Sequence, residues 1–136
     1  MLQKPDILTC YGQADIAEEI KIYLAKLTPY RFPKRYNNNF LFCLSHLYSI
    51  GKGVIMLGLA KCGVLEFNRE AAFEQFASVN PGLTAQVATV ARLRPFYRLA
   101  SGRKPEPLPF SYHDAAREME EAVKAIESLA EHTTCP

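Results

Sequence analysis

Residues 40–61 read FLFCLSHLYSIGKGVIMLGLAK, the most apolar stretch of the chain. Phe40, Leu44, Leu47, Tyr48, Ile55 and Leu59 recur at helical spacing and mark a broad buried face. The helix is expected to start after Asn37, Asn38 or Asn39, each a good N-cap, and to run to about Lys61. Gly63 then suits a C-terminal cap in the left-handed conformation. Inside the run, Gly51, Gly53 and Gly58 each weaken a helix by ~1 kcal/mol relative to alanine. Their structural use would be to let neighbouring helices approach closely. His46, Lys52 and Lys61 interrupt the apolar character, which fits a buried helix better than a membrane span.

Working outward, a helix is expected from about Gln13 to Leu27, with Ile16, Ile20, Tyr23, Leu24 and Leu27 on one side. Thr28-Pro29 should end it, because the residue before proline avoids the α region. After the long helix, Asn68 is a suitable N-cap for a third, with Glu70 complementing the dipole and Phe73 and Phe76 facing inward. Asn80-Pro81 reads as a stop and restart, asparagine as cap and proline at the first helical position. A fourth helix carries Leu83, Val87, Val90, Ala91 and Leu93 to about Ala100, with a kink or break near Arg92–Arg94 imposed by Pro95. Residues 104–109 hold too many prolines for helix and should run extended. Ser111 and Asp114 resemble a capping box for a last helix, about Tyr112 to Glu131, striped by Ala115, Met119, Ala122, Val123, Ile126 and Leu129. Strand-like alternation is absent. The fold class is therefore all-α, one bundle of about five helices over residues 1–136.

That length is one ordinary domain, and such a chain buries roughly two-thirds of its unfolded surface without needing a staple. Cys10, Cys43, Cys62 and Cys135 are scattered, with no zinc-knuckle or redox-pair spacing. Cys43 and Cys62 sit in apolar runs, where free thiols pack as small hydrophobes. No signal peptide is visible, since Lys4, Pro5 and Asp6 precede any apolar stretch. A reduced, cytoplasmic chain with no metal and no cofactor is expected.

A net charge of +2 is too small for a general nucleic-acid binder, but its distribution is uneven. Arg31, Lys34, Arg35, Arg92, Arg94, Arg98, Arg103 and Lys104 fall in two short segments, while Glu18, Glu19, Glu118, Glu120 and Glu121 gather elsewhere. Arg94 and Arg98, four apart, would share a helix face with Tyr97 between them. Guanidinium forks suit phosphate, and neighbouring aromatic rings can stack on bases. Like charges at this spacing repel, so they call for an anionic ligand, an acidic partner or plain exposure beside the acidic last helix. Arg94, Arg98, Tyr97, Arg31 and Arg35 are the candidate ligand-binding residues, with Tyr30 as a second stacking surface. No residue is assigned a catalytic role. His46, in a largely apolar helix, reads as a satisfied partly buried histidine, and His113 and His132 as surface residues. Glu118 and Glu121 read as a solvated face.

The layout resembles the HEPN domains and the related helical partners of minimal nucleotidyltransferases. The resemblance rests on Leu47-Tyr48-Ser49-Ile50-Gly51-Lys52-Gly53, then Lys61-Cys62-Gly63-Val64, then Asn68-Arg69-Glu70-Ala71 leading to Phe73 and Phe76, and covers about residues 13–131. Ribonuclease members of that family carry an arginine followed, after four to six residues, by a histidine. Here Arg103 and His113 are separated by nine residues, several of them prolines, and Arg94-Pro95-Phe96-Tyr97-Arg98 stands where the motif would be. The transferase's Gly-Ser and Asp-x-Asp residues are also missing. The resemblance thus implies a non-catalytic helical module that associates with itself or with a nucleotidyltransferase-type partner and presents a basic groove for a nucleotide or RNA. The size and apolarity of the second helix and the aromatic excess point separately to a homodimer, and no membrane partner is expected. An atypical ribonuclease using His46 or His113 and a ligand-free oligomeric scaffold are the alternatives.

Overall fold

The computed structural model describes residues 4–31, 40–102 and 114–135. It is an all-α bundle, and no strand occurs among the described residues. In chain order the helices are α1 (Lys4–Ala25), α2 (Phe40–Lys61), α3 (Arg69–Val79), α4 (Thr84–Ala91), α5 (Arg94–Ala100) and α6 (Ala115–His132), with 3-10 turns at Thr28–Arg31 and Pro81–Leu83.

α2 is the central element, packed by α1, α3, α5 and α6. It is long and apolar enough to cross a bilayer, with mean hydropathy 1.5 over a window that is half buried inside the bundle. Leu44, Leu47, Tyr48, Ile55 and Leu59 are buried as their spacing predicts. α1 runs antiparallel to α2, placing Tyr23 against Gly53 and Tyr30 against His46. α6 runs parallel to it, with Ile126 facing Gly51 and Thr133 facing Gly58. A Cβ on Gly51 would lie 2.6 Å from the Val90 side chain, and one on Gly53 would lie 2.5 Å from the Tyr23 ring. The glycines that cost α2 propensity therefore set how closely α4 and α1 approach.

Local punctuation places the ends. Gly63, at φ +83°, terminates α2, with its N–H donating to Ala60 and the Val64 N–H to Leu59. This pair of bonds is the Schellman pattern. Asn68 caps α3 by accepting from the Ala71 N–H at 3.0 Å. α4 and α5 are the single expected helix broken at Arg92–Leu93. Pro95 has no N–H for the Ala91 carbonyl, so the ladder stops and restarts with proline in the first turn of α5.

Four expectations are corrected. α1 begins at Lys4 rather than Gln13, because Pro5 sits in its first turn, where a missing N–H costs nothing. Asn80 makes no side-chain cap to the turn after it. Its Oδ1 instead accepts from the N–H and hydroxyl of Thr134 at 2.9 and 3.1 Å. Cys62 is not a free thiol but is disulfide-bonded to Cys135. A separation of 73 residues hides this pairing in the sequence, and the parallel course of α2 and α6 produces it. Ala91, expected on the inner face, is exposed. The asparagine cap before α2, the proline-rich stretch 104–109 and Ser111 of the capping box lie outside the described residues, and α6 starts at Ala115.

Candidate anion-binding cleft

Three helices meet at one recess. α2 contributes Tyr48, the N-terminus of α3 contributes Asn68, Arg69 and Glu70, and α5 contributes Arg94 and Arg98. Together they line a cavity of about 200 Å³. It continues into a second hollow of about 230 Å³, where Phe73 and Ala91 join Tyr48, Arg69, Glu70 and Arg94.

Each side chain is placed by a local cause. The break at Arg92–Leu93 turns α5 onto α2, and the four-residue spacing then puts Arg94 and Arg98 on the cleft side together. The Asn68 cap fixes where α3 begins, so Arg69 and Glu70 fall in its first turn. Glu66 secures the approach, accepting from the Asn68 N–H at 3.2 Å and from Gln75 at 3.3 Å. Tyr48 is only 2% exposed and forms the floor, packed on Phe73 and Tyr97.

The electrostatics are those of a cationic recess with one internal counter-charge. Arg94 pairs with Glu70 at 2.6 Å across the α3–α5 junction. The Arg69 guanidinium lies 5.2 Å from the Tyr97 ring centroid, a cation–π contact, and sits near the Tyr48 phenol, whose pKa its charge pulls down. Burial pushes that phenol above its ordinary pKa, against the pull of Arg69 and Arg94, so it stays protonated near neutral pH. Three guanidiniums thus share the recess with one carboxylate. The first N–H groups of α3 add partial positive charge at the same end.

Of the residues expected from sequence, Arg94 and Arg98 line the cleft, and Tyr97 supports it as the platform for Arg69. Arg31 ends the 3-10 turn after α1, and Arg35 lies outside the described residues. Tyr30 is buried and hydrogen-bonded to Nδ1 of His46, so it is no stacking surface. Desolvation and then Lys26 hold the His46 pKa below its ordinary value, so the ring is neutral near neutral pH and its tautomer sets which partner donates. Among the described residues, neither His46 nor His132 lines the cleft, and His113 lies outside them. Arg92 leaves the cluster to pair with Glu118 of α6 at 3.4 Å. Glu118 is correspondingly buried, not part of a solvated face, while Glu121 is exposed.

No family model, curated protein or solved structure matches this chain.

The cleft-lining residues that sequence reasoning missed are Tyr48, Asn68, Arg69 and Glu70. Asn68 and Glu70 were legible as a cap and a dipole partner, and Tyr48 as core. Nothing in the linear order says that this cap faces α5. No group of three or more His, Cys, Asp or Glu side chains that could hold a metal ion occurs among the described residues.

Proposed function

We propose that this chain is a non-catalytic helical binding module that takes a phosphate-bearing ligand, a nucleotide or the phosphate of an RNA, in the α2–α3–α5 cleft. The observation that carries the reading is the convergence of Arg69, Arg94 and Arg98 on one recess beside the N-terminus of α3. Guanidinium forks and helix N-terminal N–H groups are both phosphate donors, and here they share a site. Arg94 exchanges its Glu70 partner for the ligand, while Arg69 is already held by Tyr48 and Tyr97. Asn68 offers a further polar group at the rim. The HEPN-like layout read from the sequence agrees with an anion site on a helical module lacking the histidine of an active nuclease.

Self-association as a dimer and docking to a nucleotidyltransferase-type partner belong to the same proposal. Their support is the outward position of large apolar side chains, Phe42 at 69% and Phe67 at 79% exposure. Sedimentation at micromolar concentration should give the dimer mass, and monomer alone would remove that part.

The binding reading is tested by calorimetric titration of the chain with inorganic phosphate, mononucleotides and short RNA. Saturable binding that disappears in Arg69→Ala/Arg98→Ala is expected. Absence of binding by all of them would favour the scaffold reading.

A further inference from the structure

The C-terminal tail, Thr133 to Cys135, touches the segment that carries the cleft at both of its ends. At one end Cys135 is bonded to Cys62, the residue just after α2. At the other, the Thr134 N–H and hydroxyl both donate to Oδ1 of Asn80, which is 5% exposed and caps the C-terminus of α3. Thr133 folds its hydroxyl back onto the Leu129 carbonyl and sits beside Gly58 of α2. Between the two anchor points run the 63–68 connector and α3 itself, which present Asn68, Arg69 and Glu70 to the cleft. Residues 64–68 have no regular structure. They are held by the Val64 N–H at the end of α2 and by the bonds of Glu66.

We propose that the Cys62–Cys135 disulfide is a redox latch on the cleft. Oxidised, it seats the tail and fixes the connector that delivers Asn68 and Arg69. Reduced, it releases the tail, loosens the connector and lowers the affinity for phosphate. The last step rests on the anion-binding reading; the release of tail and connector does not.

The bond is open to thiol attack, since Cys135 is exposed and Cys62 only half-buried. A small dithiol supplies the reductant. Its thiolate attacks one sulfur and the Cys62–Cys135 bond breaks, the second cysteine leaving as thiolate. The reagent's other thiolate then resolves the mixed disulfide, and two protons complete the pair of cysteine thiols. Two electrons pass from the dithiol, which is oxidised to its own disulfide. After reduction the tail keeps neutral hydrogen bonds to Asn80 and Leu129. Such bonds on a segment without regular structure are balanced by the conformational freedom it regains. The core does not depend on it: Leu44, Leu47, Ile55, Met119 and Ile126 are fully buried elsewhere. Release should therefore be local.

The test follows the full chain with and without dithiothreitol by native alkylation, hydrogen exchange and phosphate titration. Cys62 and Cys135 should resist alkylation until reduction and then react. Amides of 63–68, Asn80 and 130–135 should lose protection by about tenfold or more, while those of 50–55 and 122–126 keep theirs. Phosphate affinity should fall by roughly fivefold or more, and phosphate should make the disulfide harder to reduce by the same factor, as linkage requires. Cys135→Ser, at an exposed position, should behave as the reduced form in both conditions. Alkylation of both cysteines without reductant, unchanged exchange in 63–68, or protection lost evenly over the whole chain would each overturn the latch. If phosphate binds neither form, the cleft reading fails, and the exchange arm still decides whether the tail is released.

Discussion

The rings of Tyr48 and Tyr97 lie 5.3 Å apart between centroids, inclined by 36°. Tyr48 belongs to the central helix and Tyr97 to α5, so this contact ties the core to the cleft. Arg69 stands by both, near the Tyr48 phenol and over the Tyr97 ring. A guanidinium so held loses little freedom on meeting an anion, which is the advantage of preorganisation.

Leu44→Ala or Ile55→Ala should each destabilise the fold by roughly 2–5 kcal/mol, the range for truncating a buried aliphatic. Both side chains are fully buried on α2. Denaturant unfolding measures the loss, and a cost below about 0.5 kcal/mol at both sites would contradict their place in the core.

Gly51→Ala sets two effects against each other. Alanine gains about 1 kcal/mol of helix propensity. Its Cβ would meet Val90, a branched and fully buried side chain, at 2.6 Å, with Ile126 at 3.3 Å behind. Overpacking costs about 1–3 kcal/mol and should win, leaving a net loss. A rise in the unfolding midpoint would mean that α4 yields more easily than this packing implies.

These two predictions rest on features the sequence exposes and on one it hides. Gly63, Asn68 and the break before Pro95 were legible because each acts within one turn of its own position. Asn80 obeyed the same local rule less well, because Thr134, brought in by α6, offers its side chain two donors. The pair Arg94 and Arg98 was legible from periodicity on one helix. Arg69 was not, because its partners Tyr48 and Tyr97 lie on two other helices. The disulfide was invisible for the same reason: only the packing of α6 along α2 brings Cys135 to Cys62.

His46 gives a pH dependence with a definite sign. Burial, then Lys26, lowers its pKa in the fold, so the unfolded chain binds the proton more readily. Its contribution to stability is present above the ordinary histidine value and is lost as pH falls below it. Protonation would make both ring nitrogens donors, so the Tyr30 oxygen would then have to accept from Nδ1. The unfolding midpoint should therefore drop between about pH 7.5 and pH 5.5, near the ordinary value of about 6.5, and His46→Gln should flatten that part of the profile. An equal slope in parent and variant would assign the dependence to other groups.

The arginines supply the functional test. Arg94→Ala or Arg98→Ala should each weaken phosphate-ligand binding by ~1.5–3 kcal/mol, the scale of a hydrogen bond to a charged group. Arg69→Ala should cost at least as much, since it also removes the group that rests on Tyr97 and Tyr48. Stability should change little at Arg94, whose partner Glu70 is 68% exposed on a solvent-screened surface. Arg98→Lys should recover only part of the affinity, because lysine keeps the charge but not the bidentate fork. Glu70→Gln should act in the opposite direction and tighten binding, because it removes the carboxylate that competes with the ligand for Arg94. Raising salt should weaken the parent more than the alanine variants. Calorimetric titration at two salt concentrations reads all of these together. Weaker binding in Glu70→Gln, or equal affinity in parent and Arg94→Ala/Arg98→Ala, would move the ligand out of this cleft.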